Sequence, residues 1–256
     1  MLMRAVLLIS IASFVVIYWL ESIFPYFTSR HDRVRHGVSN IALGGLNGVV
    51  SGFLFPIMIL NGIEWAQTNS FGLLHFISGP PFIKAILAFV FFDLWMYLWH
   101  RANHRVKFLW RFHRTHHTDC EMDTTTAIRF HPGEIALSFL ARFAVIPLLG
   151  ISYLYLVIYE ACLQPIILFH HSNVAFPERW DRIFRACIVT PNMHRVHHSQ
   201  EGPEFNSNYS SVFSFWDRIF ATFKRREDTH KIIFGLKILQ DTKWQGLKGM
   251  LITPFK

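Results

Sequence analysis

The sequence predicts an all-α, polytopic membrane protein, a bundle of about four spanning helices with a helical cap on the cytoplasmic side. The first observation is composition: 52% of the 256 residues are hydrophobic and only 16% are charged, whereas soluble domains carry about 25% charged residues. The second is that apolar runs of spanning length recur along the chain. The third is that histidine clusters directly follow these runs.

The first apolar run covers residues 5–20, and only Arg4 among basic residues precedes it. No small-residue cleavage site follows, so a retained first span is favoured over a signal peptide. The second run, about residues 38–60, contains several glycines and one proline, which membrane helices tolerate. The third run covers residues 82–99 and leads directly into a histidine-rich stretch.

The fourth apolar stretch, residues 135–169, is long enough for a hairpin. Basic residues flank it on both sides, so both of its ends are expected on the same face of the membrane. It therefore forms either two short spans or a re-entrant pair, with Pro147 and Gly150 at the turn. Residues 170–256 contain no spanning run and are expected to form the cytoplasmic cap. We treat residues 1–256 as one integral-membrane domain.

The distribution of basic residues predicts the orientation. Arg30, Arg33 and Arg35 follow the first span, whereas residues 61–82 are nearly free of Lys and Arg. The positive-inside bias then brings the third span back to the cytoplasm and places the histidines there. The formal net charge is +8, but the basic residues flank apolar runs, so we expect contact with a bilayer and no nucleic acid.

Histidine is the abundant metal-type ligand, with fifteen copies against three cysteines. Three clusters follow the patterns HxxxH, HxxHH and HxxHH. Residues at i, i+3 and i+4 share one helix face, so each cluster forms a stripe of imidazoles. A tetrahedral site needs four ligands, so eight histidines indicate two metal ions. The clusters are His100 and His104; His113, His116 and His117; and His194, His197 and His198.

The residues alone leave the metal open, because imidazole suits Zn, Cu, Fe and Ni. An all-neutral ligand set also leaves the charge of the ions uncompensated. Nearby carboxylates would have to balance that charge. The candidates are Asp93, Asp119, Glu160 and Asp217.

Residues 88–223 carry an ordered motif set that resembles the fatty acid hydroxylase/sterol desaturase superfamily of integral-membrane, histidine-rich di-iron oxygenases. The matching segments are DLWMYLWHRANH, LWRFHRTHHTD, TAIRFHPGE, FHHSNVAFP, TPNMHRVHHS and NYSSVFSFWDRIFATF. The resemblance implies that the eight clustered histidines bind iron. It also implies a further ligand from the HHSN-like segment, where His170 and His171 both qualify and His171 is slightly favoured.

Four more residues in these motifs are expected near the ligands or the substrate. They are His131, Arg129, Asn208 and Asp217.

The resemblance implies hydroxylation of a lipid C–H bond with two iron ions, O2 and two electrons. The lipid is a fatty acyl chain, a sterol or an ether lipid, and the electrons come from a separate cytochrome b5- or ferredoxin-like protein. Desaturation at the same site is the near alternative. The location is the bacterial inner membrane, which the motifs favour, or the endoplasmic reticulum if the chain is eukaryotic.

Two other readings compete with the enzyme. A membrane metal-binding or transport protein would hold its ligands within the spans, whereas these histidines lie at span ends. A non-catalytic relative would have degraded clusters, and these are intact. The basic residues between 101 and 114 are expected to point away from the metal toward lipid headgroups or an acidic electron-donor protein. Three aromatic residues, Phe108, Trp110 and Phe112, are expected to anchor the helix at the membrane interface.

Overall fold

The computed structural model describes residues 2–28, 32–52 and 55–256. Within these ranges every regular element is a helix, and β-type pairing is limited to three isolated bridges. The all-α class is therefore confirmed. The seven longer helices are α1 (Leu2–Ile23), α2 (Arg33–Gly52), α3 (Phe55–Thr68), α4 (Pro81–Arg105), α5 (Lys107–His117), α6 (Pro132–Leu149) and α7 (Tyr153–His171).

Four of these helices, α1, α4, α6 and α7, are long and apolar enough to cross a membrane, and a bent pair raises the number to five. Much of their apolar surface faces outward. On α1, for example, Leu7, Leu8 and Val15 are each about 60% exposed. Side chains of this kind lower the free energy when lipid surrounds them.

The second predicted span is not one straight helix. Helix α2 and the segment Pro56–His75, which contains most of α3 and the turn Leu73–His75, meet at a bend of 47°. Pro56 has no backbone N–H to donate to the preceding turn, so a continuous helix is unfavourable there. Arg30, which contributed to the predicted orientation, lies outside the described residues.

The predicted hairpin is present as α6 and α7, with 18 and 19 residues. Pro147 lies in the last turn of α6, and Gly150 caps that helix with a left-handed φ of 73°. Gly72 packs so closely that a Cβ atom on it would lie 2.3 Å from the Gly150 nitrogen. The turn is thus held by backbone-to-backbone packing that only glycine allows.

Buried side chains of α3, α4, α6 and α7 form the main core. Phe92 and Tyr159, for example, contact edge to face with 4.9 Å between ring centroids. This core fixes α4 against α7, and both helices end in histidines. Their last turns are therefore brought to the same side of the bundle.

The remaining described helices are short. They are α8 (Glu178–Phe184), α9 (Pro191–His197), α10 (Gly202–Phe205), α11 (Phe215–Ile219), α12 (Thr242–Gln245) and α13 (Leu247–Ile252), with 3-10 turns at Leu73–His75, Thr124–Ile128, Thr229–Lys231 and Thr253–Phe255.

The C-terminal residues cover one side of α5. Arg114 is buried and donates hydrogen bonds to the carbonyls of Thr253 (2.5 Å) and Lys256. Arg111 Nε donates to the Pro254 carbonyl at 3.1 Å. The prediction that the basic residues of this helix all face headgroups or a partner is therefore wrong for Arg114, because the segment 247–256 packs over it.

Candidate metal centre

The ten candidate histidines converge from four helices. α4 supplies His100 and His104 from its last two turns, and α7 ends in His170 and His171. The other six come from two HxxHH motifs, on α5 and on α9 with the residue that follows it. Nine of the ten form two adjacent groups.

In each group the ligand nitrogens all lie within 4.8 Å of one another. The first group consists of His100, His104, His113, His117 and His197, and the second of His116, His171, His194 and His198. Both α5 and α9 contribute to both groups, because side chains at positions i+3 and i+4 point in slightly different directions around the helix axis. The helical spacing that predicted stripes therefore also divides each stripe between two sites.

Backbone carbonyls orient four of these imidazoles. Nδ1 of His100 donates to the Tyr209 carbonyl at 2.8 Å, and Nδ1 of His197 to that of Ser207 at 2.7 Å. His171 donates to the carbonyl four residues earlier in α7 (2.8 Å), and His116 to that of Arg129 (3.3 Å). A carbonyl can only accept, so each Nδ1 carries the proton and each Nε2 keeps its lone pair.

A carboxylate orients a fifth imidazole. His113 Nδ1 donates to Glu134 Oε1 at 2.7 Å, and Glu134 is buried at the start of α6. A carboxylate behind a histidine ligand raises its basicity and fixes its tautomer. The sequence pointed to four other carboxylates and not to Glu134, although Glu134 is the last residue of the quoted HPGE segment.

The arrangement fits cations. His116 and His171 each donate through Nδ1, yet their Nε2 atoms face each other at 3.1 Å. Two lone pairs cannot hydrogen-bond to each other, whereas two nitrogens that share an ion at about 2.1 Å lie about 3 Å apart at a right angle. Nε2 of His100, His117 and His197 is also buried without a partner in the described part of the chain.

Burial keeps the histidines outside the spans neutral. It lowers the pKa of His116, His117 and His198 well below the ordinary value, and neighbouring imidazoles lower it further. The pKa values of His194 and His197 are lowered in the same way. Neutral imidazole is the form that binds metal.

His170 is the tenth histidine and belongs to neither group. Its ring lies 4.1 Å from that of His194, centroid to centroid, and its Nδ1 is buried with no partner among the described residues. His171 by contrast places Nε2 3.0 Å from that of His194. The geometry thus brings His171 into the cluster and leaves His170 beside it.

Arg129 acts on the helix that carries the ligands. Its guanidinium is fully buried and donates to the Thr115 carbonyl, the Asn40 side chain and Thr118 Oγ1 at 3.0–3.1 Å. It also donates to Gln245 Oε1 at 3.0 Å. Arg129 therefore holds the end of α5 in place through buried hydrogen bonds.

His131 lies at the N-cap of α6. Its Nδ1 accepts from the Gly133 backbone N–H at 2.9 Å, and its Nε2 therefore carries the proton and donates to the Leu251 carbonyl at 3.1 Å. Both ring nitrogens are used by the backbone, and His131 belongs to neither group of clustered histidines.

Asn208 and Asp217 hold the loop whose carbonyls orient His197 and His100. Asn208 has a left-handed φ of 54° and bonds the backbone of Met193 and Lys224 through three side-chain contacts of 2.8–2.9 Å. Asp217 accepts the Tyr209 N–H at 2.7 Å. Neither side chain belongs to the cluster, and both hold in place the loop whose carbonyls accept from His197 and His100.

The other proposed carboxylates have partners elsewhere. Asp119 accepts from His36 at 2.7 Å. Burial alone would raise the pKa of Asp119, but His36 and Arg129 hold it well below its usual range. Asp93 caps the backbone of Val212 and Phe213, and Glu160 pairs with an arginine of α6.

Trp110 is part of the site wall, so its assignment as a membrane anchor is wrong. Its ring stacks on Phe205 at 5.6 Å and lies 5.0 Å from His104 and 5.5 Å from His117. It faces inward because α5 turns back toward the bundle after α4 and presents this face to the cap.

A cavity of about 680 Å³ leads from the histidines into the bundle. Histidines from both groups are part of its wall, together with apolar side chains of the spanning helices, such as Leu7 and Ile11 of α1, and polar side chains, such as Arg142 and Gln164. Its volume is within the range of small-molecule sites.

Comparisons with known proteins agree with the motifs. The sequence model of the family described as "Fatty acid hydroxylase" matches residues 85–222. The chain is 25% identical to alkylglycerol monooxygenase of Xenopus tropicalis over 223 residues, which is 80% of this chain and 44% of the relative. It is 33% identical to ornithine lipid hydroxylase OlsE of Rhizobium tropici over 147 residues, 56% and 43% of the two chains.

A relative with another printed activity also matches. The chain is 30% identical to very-long-chain aldehyde decarbonylase GL1-4 of Oryza sativa subsp. indica over 144 residues, 52% of this chain and 22% of the relative. The chain spans less than half the length of these relatives. No solved structure matches it.

Proposed function

Because the chain belongs to the fatty acid hydroxylase family, we propose that it is an integral-membrane di-iron oxygenase that uses O2 and two electrons to hydroxylate a C–H bond of a lipid. The lipid is a fatty acyl chain, a sterol or an ether lipid. The observation that carries this proposal is the pair of imidazole groups in the wall of a cavity that apolar side chains of the spanning helices also line.

Two bound iron ions would supply the oxidant that cleaves an unactivated C–H bond. The first group of five histidines would hold one ion and the second group of four the other. The protein's own contribution is orientation, because the carbonyls and Glu134 hold Nδ1 protonated and turn Nε2 inward.

The cavity supplies the second part of the function. Trp99, Ile128 and Ile167 are among the side chains that form its wall next to the histidines. Such a wall aligns an alkyl chain and keeps water away from the reacting carbon. This arrangement suits a substrate that enters from lipid.

The electrons come from a separate donor, a cytochrome b5- or ferredoxin-like protein. We place the histidines and the short helices α8–α13 on the cytoplasmic face, because the Lys/Arg-poor connection 61–82 belongs outside. The membrane is the bacterial inner membrane, or the endoplasmic reticulum in a eukaryote. Residues 88–223 form the catalytic region of a single domain over residues 1–256.

The test combines metal analysis with lipid mass spectrometry. Purified protein should contain about two iron ions per chain and consume O2 when iron and a reductant are present. Cells that express the wild type should accumulate a lipid heavier by one oxygen, whereas loss of two hydrogens would indicate desaturation. His113→Ala should abolish the product, and His230→Ala, which changes an exposed histidine, should not.

Two outcomes would reject the proposal. Identical lipid profiles with the wild type and His113→Ala, together with metal flux into liposomes, would favour a transport protein. Bound iron with no O2 consumption and no lipid product would favour a non-catalytic relative.

A further inference from the structure

An ion pair lies within the membrane-spanning segments, away from the metal cluster. Arg142 on α6 donates to Glu160 on α7 with 2.6 Å between nitrogen and oxygen, and Gln164 Nε2 donates to the other oxygen of Glu160 at 3.2 Å. Ionisable side chains within spans carry a large desolvation cost, and they usually serve a function.

This polar cluster lies along the same cavity as the histidines. Arg142 and Gln164 both line it. Arg142 is eight residues after Glu134, the partner of His113, and Gln164 is seven residues before His171, so each lies about 10–12 Å along its helix from a residue of the metal centre. The wall of the cavity therefore offers a polar group in addition to the metal centre.

Arg142 retains hydrogen-bonding capacity toward this cavity. A guanidinium has five N–H donors, and in the described part of the chain Arg142 uses two, one to Glu160 and a weak one to Met96 Sδ at 3.5 Å. Its side chain is 20% exposed and that of Glu160 is 14% exposed. An oxygen atom of a bound molecule can accept the remaining N–H groups.

The net charge of the Arg142–Glu160 pair determines whether a charged or an uncharged oxygen group binds there more favourably. Arg142 and Glu160 together are neutral, so a carboxylate bound against this pair would place two anions beside one cation in a medium of low dielectric constant. A hydroxyl, ether or ester oxygen accepts the same hydrogen bonds and brings no charge. Desolvation therefore penalises the carboxylate and not the uncharged group.

We propose that the Arg142–Glu160 pair is a substrate-recognition site that selects a lipid with an uncharged hydroxyl, ether or ester group over a free fatty acid. This proposal rests on the proposed function for the identity of the cavity as the lipid site. The two can fail separately, because recognition can be measured as binding with no turnover.

The experiment measures binding of two radiolabelled ligands, a monoacylglycerol and the fatty acid of the same chain length, to the purified full chain in uncharged detergent. It is done at about pH 9, where the fatty acid is ionised. The wild type should bind the monoacylglycerol at least about tenfold more tightly, which corresponds to about 1.4 kcal/mol. Equal affinity, or tighter binding of the acid, would overturn the proposal.

Variants test the electrostatic cause. Glu160→Gln leaves Arg142 unopposed, so affinity for the fatty acid should rise about tenfold, while monoacylglycerol binding changes little. Glu64→Gln makes the same substitution at an exposed position of α3 and should change neither. The double variant Arg142→Gln/Glu160→Gln restores neutrality and should remove the gain.

A ratio of affinities that is unchanged in Glu160→Gln relative to Glu64→Gln would reject the site. If the ion pair only joins α6 to α7, Glu160→Gln will alter thermal stability and leave the ratio of the two affinities unchanged. The wild-type ratio needs no variant, so the test stands even if Glu160→Gln does not fold.

Discussion

Glu134 and His113 share a buried hydrogen bond of 2.7 Å that connects the start of α6 to the middle of the metal cluster. Because the carboxylate fixes which ring nitrogen carries the proton, Glu134→Ala should lower metal affinity about 10- to 100-fold. Glu134→Gln keeps an oxygen that accepts from Nδ1 and should lose less. Competition with a chelator measures the difference, and equal affinities in all three proteins would contradict the assignment.

Acidification should release the metal and destabilise the metal-free protein. The pKa values of His116, His117, His194, His197 and His198 are lowered by burial, so below about pH 6.5 the unfolded chain binds protons that the folded chain does not. Stability of the metal-free protein should therefore fall as the pH drops below about 6.5 and be unaffected by these groups above it. Thermal denaturation across this range measures it.

The same argument predicts metal content. Metal should be retained at neutral pH and lost on prolonged dialysis at about pH 4. Unchanged metal content after that dialysis would count against histidine ligation.

His171 and His170 should respond differently to substitution. Only His171 brings Nε2 into the second group, so His171→Ala should lose about one of the two metal ions, whereas His170→Ala should keep both. Metal analysis by mass spectrometry distinguishes the two variants. Loss in His170→Ala with retention in His171→Ala would reverse the assignment.

Asn208 should stabilise the fold both through its side-chain hydrogen bonds and through its tolerance of a left-handed backbone conformation. Asn208→Ala removes three hydrogen bonds worth about 1 kcal/mol each, and it places an alanine in a left-handed conformation that costs about 1 kcal/mol more. Asn208→Gly loses the hydrogen bonds alone and should be the less destabilised variant. Chemical denaturation of both proteins tests this order, and equal stabilities would argue against strain at this position.

Arg129→Lys should destabilise the fold by about 3 kcal/mol. A lysine ammonium cannot donate to all four acceptors that the guanidinium reaches, and buried acceptors without a donor lower the stability of the fold. Because Arg129 is fully buried, the loss should be the same in anionic and in uncharged detergent. A loss of stability confined to one of the two detergents would contradict this buried role.

The sequence predicted the helical class, the apolar spans and the histidine stripes because these depend on local periodicity. Spacing of i, i+3 and i+4 is enough to place His113, His116 and His117 on one side of α5. The bend between α2 and α3 was missed, because glycine and proline in an apolar run are compatible with either a straight or a bent span.

The partners of the ligands could not be predicted in the same way. Glu134 reaches His113 across 21 residues, and the carbonyls of Ser207 and Tyr209 come from a loop whose side chains reveal nothing of that role. Arg114 resembles its exposed neighbours in sequence and differs only because the C-terminal segment covers it. Such contacts depend on tertiary packing, which the spacing of residues along the sequence does not predict.

Helices α5 and α9 each supply ligands to both imidazole groups, and this sharing has a consequence for loading. An ion that occupies one group restrains the same two helices that present nitrogens to the other, so the second ion loses less conformational entropy on arrival. The order that the first ion imposes on α5 and α9 therefore favours entry of the second ion, and it opposes the repulsion between two cations held by neutral ligands.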